Sequence, residues 1–80
     1  MDKPTSDLET IIADLYESEI NASISWFWSA GVEVELGGDP LNGYEAEEQV
    51  NTFAEATAWL RDQAIRLYPH SEFAWKYGAF

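Results

Sequence analysis

Hydrophobic and polar residues alternate along three short runs in the middle of the chain, the pattern of strands with two unlike faces. The runs are ISWFW, VEVEL and YEAEEQ. They predict antiparallel strands over about residues 22–28, 32–36 and 44–49, joined by a Ser-Ala-Gly corner and a Gly/Asp/Pro/Asn loop. The predicted apolar face comprises Ile24, Trp26, Trp28, Val32, Val34, Leu36, Tyr44 and Ala46.

Apolar residues at helical spacing precede these strands and predict a first helix over about residues 7–20. Ser6 and Glu9 fit a capping box at its start, and Asn21 suits a left-handed exit at its end. The stripe that should face the core is Leu8, Ile11, Ile12 and Leu15.

A second helix is predicted after the strands, over about residues 53–68, with Thr52 and Glu55 as its capping box. Ser71 is placed to cap a further short helix over about residues 72–77. The predicted buried face of the second helix is Phe53, Ala56, Leu60, Ala64 and Leu67.

The order of elements predicts an α+β fold: a three-stranded antiparallel meander with two helices packed on one face, followed by a short C-terminal helical turn. Eighty residues suffice for one domain, residues 1–80, with one core. The other face of the sheet is predicted to meet solvent, with Phe27 on it. Glu48 falls on the apolar parity, so we expect a bulge or an early strand end near it.

The chain is strongly acidic, with a net charge of −11. Between Pro4 and Leu60 there are twelve Asp and Glu residues and no Lys or Arg. Such a field repels phosphate backbones and anionic lipid and attracts basic protein surfaces. Direct nucleic-acid or membrane binding is therefore not expected. An alternative interpretation is that the charge serves only solubility.

Several classes of protein are disfavoured by composition. The absence of Cys excludes disulfides and thiolate metal sites, and no run reaches the ~20 apolar residues that cross a bilayer. We therefore expect a soluble cytoplasmic protein. The single His70 offers little basis for catalysis, and the acids around Asp39 do not match a calcium loop. We expect no enzyme activity, no cofactor and no specific metal.

The candidate binding residues are the glutamates of the polar strand face, named here the acidic face: Glu33, Glu35, Glu45 and Glu47. Like charges on neighbouring strands destabilise a sheet, so the presence of these glutamates indicates a cationic partner that neutralises them. Asp39 and Glu48 extend this charge, and Phe27 provides an apolar anchor. The aromatic residues of the first run could instead form a platform on which nucleic-acid bases stack. The acids around them make this interpretation less consistent with the sequence than packing in the core.

Length, acidity and the inferred α-β-β-β-α order resemble the small acidic anti-CRISPR and anti-restriction proteins of phage type, some of which are similar to DNA in their electrostatics. That resemblance implies an inhibitor that mimics nucleic acid. The order of elements also resembles the double-stranded-RNA-binding domain, whose last helix begins with basic residues. Here Thr52-Phe53-Ala54-Glu55 carries an acid, so this second resemblance extends to the fold alone.

The leading functional hypothesis is a small binding module that occludes a basic, nucleic-acid-binding protein surface with the acidic face. The alternative is a structural or oligomeric accessory domain, monomeric or homodimeric, that uses an aromatic cluster at the C-terminus. The residues of that alternative interface are Trp75, Tyr77 and Phe80.

Overall fold

The computed structural model describes residues 7–78. It contains three helices and three strands in the predicted order. The elements are α1 (Leu8–Glu17), β1 (Ala22–Phe27), β2 (Gly31–Leu36), β3 (Ala46–Val50), α2 (Phe53–Leu67) and α3 (Glu72–Tyr77).

The strands form one antiparallel sheet in the order β1-β2-β3, which confirms the predicted α+β meander. The strand ends differ from the predicted bounds by at most two residues: β1 ends at Phe27 instead of Trp28, β2 begins at Gly31 instead of Val32, and β3 spans Ala46–Val50 instead of residues 44–49. Gly31 begins β2 with φ +93°, a conformation that favours glycine. A Cβ at this position would lie 2.9 Å from the Val50 carbonyl oxygen, so the corner requires glycine twice over.

The core lies between the sheet and the helices, as the two-faced strands predict. α2 packs over β2 and β3, and α1 and α3 both pack against α2. The central strand β2 contributes every second residue to this core, because α2 packs over one of its faces and β1 and β3 flank its edges. The buried apolar residues are Ile11, Leu15, Ile20, Val32, Val34, Leu36, Ala56, Leu60, Ala64, Phe73 and Ala74.

The helix layer leaves β1 poorly covered, and this corrects the prediction that Trp26, Trp28 and Tyr44 belong to the core. Trp26 is 59% exposed, and its ring meets the ring of Phe53 edge-on, with the two ring centroids 5.4 Å apart. Trp28 lies beyond the end of β1 and is 95% exposed. Alternation correctly predicts which side of the sheet Trp26 occupies, but burial also needs a helix above that side.

The ends of α1 differ from the prediction. Asp7, not Ser6, is the N-cap, and its carboxylate accepts from the Thr10 amide at 2.8 Å; Ser6 lies outside the described residues. At the other end Glu19, not Asn21, takes the left-handed conformation, with φ +62°. The Glu19 and Ile20 amides donate backward to the carbonyls of the last turn, which is the hydrogen-bond pattern of a Schellman motif.

Glu19 is expected to strain the end of α1, because a side chain in the left-handed region costs about 1–2 kcal/mol and an acid is unfavourable at a helix C-terminus. Glu19→Gly should therefore raise the free energy of unfolding by about 1 kcal/mol in a denaturant titration. Glu17→Gly is the matched control, since Glu17 is helical and glycine there should cost about 0.5–1 kcal/mol. A Glu19→Gly protein that is no more stable than the wild type would contradict this account.

Both remaining caps follow the prediction. The Thr52 hydroxyl accepts from the Glu55 amide at 3.0 Å at the start of α2, and the Ser71 hydroxyl accepts from the Ala74 amide at 3.1 Å at the start of α3. Glu55 reaches back to the Asn51 amide at 2.9 Å. α3 is more than a terminal turn, because its Phe73 is the largest fully buried side chain among residues 7–78.

A polar contact joins α3 to α1. The Tyr77 hydroxyl donates a hydrogen bond to the Asp14 carboxylate, and the Lys76 ammonium lies 3.1 Å from the same carboxylate. The hydrogen bond from Tyr77 lowers the pKa of Asp14, as does Lys76, and burial opposes both. Burial, and then the bond to Asp14, raise the pKa of Tyr77 to about 12.

Alkaline pH should release this contact. The pKa of Tyr77 in the folded protein lies above the ordinary value of 10, so its contribution to stability is complete below about pH 10 and is lost as pH rises toward 12. A titration of tyrosinate absorbance should show one tyrosine that ionises last, together with the start of unfolding. Tyr77→Phe should remove that step, and Asp14→Asn should move it to lower pH. If the last tyrosine ionisation is still present in the Tyr77→Phe protein, its assignment to Tyr77 is wrong.

Glu48 produces no bulge, contrary to the prediction. β3 continues through it to Val50, with Glu48 paired to Val34 across the sheet. The Glu48 side chain stays exposed because β3 is an edge strand. Within residues 7–78, no helix combines the length and the apolar character that crossing a bilayer demands.

Candidate protein-binding surface

The acidic face lies on the side of the sheet that faces away from the helices. Glu33 and Glu35 alternate along β2 with the buried residues Val32, Val34 and Leu36, so their side chains point away from the core. Glu47 on β3 is paired directly with Glu35, which places two carboxylates side by side on neighbouring strands. Glu33 is paired with Gln49 instead, so this face has one directly opposed pair of like charges.

Within the described residues, these carboxylates have no cationic partner. Arg61 pairs with Asp62 at 3.2 Å, Lys76 pairs with Asp14, and the Arg66 guanidinium donates to Gln63. None of these contacts involves the sheet. No cation of the described residues therefore neutralises the acidic face.

Glu35 has one neutral partner on the sheet. The Ser23 hydroxyl donates to its carboxylate at 2.7 Å across the β1–β2 pair, and Glu35 is half-buried on the central strand. Glu33 and Glu47 are exposed and have no side-chain hydrogen bond in the described part of the chain. Ser23 thereby holds the Glu35 carboxylate in place through one of its two oxygens. The second oxygen of that carboxylate can accept a hydrogen bond from a partner.

The other predicted acids occupy different positions. Glu45 is exposed at the end of the acidic face, where its amide donates to the Leu36 carbonyl at 3.1 Å just before β3 begins. Glu48 shares the helix side of the sheet with Val34 and does not join the face. Asp39 is engaged in its own loop, since its carboxylate accepts from the Leu41 and Asn42 amides at 2.8 Å each.

The hydrogen bonds of the loop change the titration of Asp39. Donors from the Asn42 side chain, then from the backbone of Asn42 and Leu41, lower the pKa of this carboxyl. Asp39 therefore remains charged in mild acid, but most of its acceptor capacity serves the loop. Asp39 is therefore a fixed charge in the loop between β2 and β3.

An exposed group of aromatic side chains adjoins the acidic face at the β1–β2 corner. Phe27 is 74% exposed, as predicted, and Trp28 follows it in the corner. A shallow depression beside Phe27 is lined by Gly31, Glu33 and Gln49. Sequence alternation placed Trp28 in the core and so missed it as a surface residue; its position next to a predicted turn was the signal that it could be exposed.

The alternative C-terminal interface is only partly available as a surface. Trp75 is 77% exposed on α3, whereas Tyr77 stacks on Phe73 with ring centroids 4.5 Å apart. Phe80 lies outside the described residues. Two of the three predicted aromatics are therefore placed, and only Trp75 of these two is presented to solvent.

The remaining chemistry of the chain is sparse. His70 is exposed in the turn between α2 and α3. Among residues 7–78, no three or more His, Asp or Glu side chains are grouped so that they could hold a metal ion. No protein-family model, curated protein or solved structure matches this chain.

Proposed function

We propose that this protein is a non-catalytic inhibitor module that docks its acidic face on a basic, nucleic-acid-binding protein surface and so excludes the nucleic acid. The observation that carries the proposal is the directly opposed pair of Glu35 and Glu47 on the side of the sheet that no described helix covers. The chain offers these carboxylates no cation of its own within the described residues.

Charge spacing supports nucleic-acid mimicry as the mode of binding. Carboxylates on one face of a sheet repeat every ~6.6 Å along a strand and ~4.8 Å across strands. One strand of duplex DNA carries a negative charge every ~3.4 Å, so the two charge densities are of the same order. An Arg/Lys groove built for phosphates could therefore be neutralised by Glu33, Glu35 and Glu47, with Glu45 at the end of the array.

The aromatic corner supplies what charge alone lacks. Exposed charge pairs contribute little affinity, whereas aromatic side chains that fill a pocket dominate many interfaces. Phe27 points to the same side of the sheet as the acidic face, Trp28 is the next residue in the corner, and both are largely exposed. In the proposed complex the glutamates set orientation and association rate, and these two rings provide the contact that resists salt.

The proposal is tested by capture followed by competition. The tagged protein is incubated with a bacterial lysate at low salt, eluted with a salt gradient, and the retained proteins are identified by mass. Each retained protein is then assayed for binding to duplex DNA with and without added wild-type protein. The expected result is a basic protein that elutes at moderate salt and loses its DNA when this protein is added. Retained proteins that keep their DNA would overturn the proposal.

A second candidate function rests on Trp75. Its exposure on α3, a helix that packs against α2, would suit an oligomeric accessory domain. That function predicts a self-association that persists in high salt and disappears in Trp75→Ala, as measured by sedimentation equilibrium.

A further inference from the structure

An apolar groove runs between α1 and the free edge of the sheet. It has a volume of about 380 Å³. Ile12 and Tyr16 line it from α1, Ile24 lines it from β1, and Leu15, Ile20 and Leu60 lie at its base. Tyr16 is 82% exposed and Ile12 is 42% exposed, so the groove is open along its length and apolar surface faces solvent.

β1 forms one wall of this groove, and among residues 7–78 one of its two edges has no paired strand. The sheet order is β1-β2-β3, so β1 pairs only with β2. α2 packs over β2 and β3, which leaves the helix side of β1 without the cover that the other two strands receive. A free strand edge beside an apolar groove is the arrangement that accepts an added strand, with backbone hydrogen bonds at the edge and side chains in the groove.

The opposite side of β1 indicates the charge of that added strand. Its outward residues Ser23 and Ser25 are paired across the sheet with Glu35 and Glu33. Both serines are short, so a lysine or arginine on an added strand, two strand spacings from β2, can extend over a serine and reach a glutamate. Glu17 and Glu19 line an adjoining depression together with Tyr16.

The geometry points to an extended protein segment of alternating apolar and basic residues as the occupant of this edge. Its apolar side chains enter the groove, and its basic side chains cross Ser23 and Ser25 to the acidic face. A second copy of this chain is disfavoured, because it would bring another −11 charge to the same edge. This inference rests on the proposed function and specifies it, since it identifies part of the basic partner as a strand.

The probe is a fluorescent peptide of about ten residues in which Val or Ile alternates with Arg or Lys. A control peptide of the same composition has its apolar residues together and its basic residues together, so both carry the same charge. By fluorescence anisotropy the alternating peptide should bind at least about tenfold more tightly than the control. Its binding should slow amide hydrogen exchange in Ala22–Phe27. Equal binding of the two peptides, or protection confined to Ala46–Val50, would overturn the inference.

Variants separate the groove from the acidic face. Tyr16→Ala and Ile12→Ser alter exposed groove residues and should each lower the affinity for the alternating peptide by about fivefold or more. The melting temperatures of both variants should stay close to that of the wild type. Tyr44→Ala changes an exposed tyrosine that does not line the groove and should have no effect. An equal loss in all three variants would overturn the inference.

The failure of this inference can be distinguished from failure of the proposed function. If the alternating peptide does not prefer the groove while a captured basic protein still loses its DNA, the groove inference is wrong and the proposed function stands. If the peptide binds the groove and no captured protein loses its DNA, the inhibitor function is wrong. Peptide binding unchanged by Glu33→Gln and Glu35→Gln would overturn the predicted charge contact. Dimers that form through β1 in the absence of peptide would identify the second copy as the occupant.

Discussion

Glu47→Lys is expected to weaken binding of the captured basic partner by about a hundredfold or more while making the protein more stable. The two effects have opposite signs because Glu47 lies directly opposite Glu35. A lysine there replaces a repulsive cross-strand pair with an attractive one, which should raise the free energy of unfolding by about 0.5–1 kcal/mol. The same lysine presents a positive charge to a positively charged partner.

A matched variant separates position from net charge. Glu72→Lys changes the net charge by the same amount on α3, where Glu72 is exposed on a helix that packs mainly against α2. Its binding should stay within about threefold of wild type, since exposed charges beyond a Debye length of ~8 Å are largely screened. Affinity is measured by titration calorimetry and stability by urea unfolding. An equal loss in both variants would show that only total charge matters and would contradict the assigned face.

Phe73→Ala is expected to cost about 3–5 kcal/mol of unfolding free energy, the largest loss predicted for a single substitution in this protein. Phe73 is 1% exposed and stacks on Tyr77, which in turn bonds Asp14 of α1. Its removal leaves a cavity under α2 and frees the contact between α3 and α1. The free energy of unfolding of a domain of this size is roughly 5–15 kcal/mol, so the substitution would remove much of it.

Trp75→Ala is the control for that substitution. It deletes a larger aromatic ring from the same helix, two residues away, but that ring faces solvent. Its effect on the free energy of unfolding should stay within about 0.5 kcal/mol. Urea unfolding followed by far-ultraviolet circular dichroism measures both variants. A Phe73→Ala protein within about 1 kcal/mol of wild type would show that α3 is not part of the core.

The sequence predicted β2 well because local pattern and tertiary position agree there. A central strand has neighbours on both sides and helices above, so strict alternation between Val32, Val34, Leu36 and the intervening glutamates leaves one arrangement. The outward direction of Phe27 follows from the same parity. The acidic residues Glu33, Glu35 and Glu47 were correctly grouped on one face for this reason.

Prediction failed where tertiary context decides. Trp26 has the parity of the core, yet α2 lies over β2 and β3, and no periodicity in a strand reveals which strand a helix will cover. The same offset of the helix layer produces the groove beside β1, which the sequence did not indicate. Glu48 has core parity as well and needs no bulge, because an edge strand lets its side chain reach water.

The ends of α1 show the limits of residue preference. Ser6 and Asp7 are both good N-caps and adjacent, so propensity alone does not choose between them. Asn21 is the better residue for a left-handed conformation, but the hydrogen bonds that close the helix fall two residues earlier and impose it on Glu19. Asn21 instead donates its side-chain amide to the Gly38 carbonyl at 2.8 Å and ties the helix exit to the loop.

The most direct test of the acidic face as the docking surface uses the four tryptophan indole N–H signals in a nitrogen–proton correlation spectrum. Trp28 reports on the corner that follows Phe27, and Trp26 reports on the helix side of β1, where its ring meets Phe53. Trp75 reports on α3, and the half-buried Trp59 reports on α2. Addition of the captured basic partner should shift or broaden the Trp28 signal and leave that of Trp75 unchanged. A shift confined to Trp75 would place the interface on α3 and contradict the proposed use of the sheet.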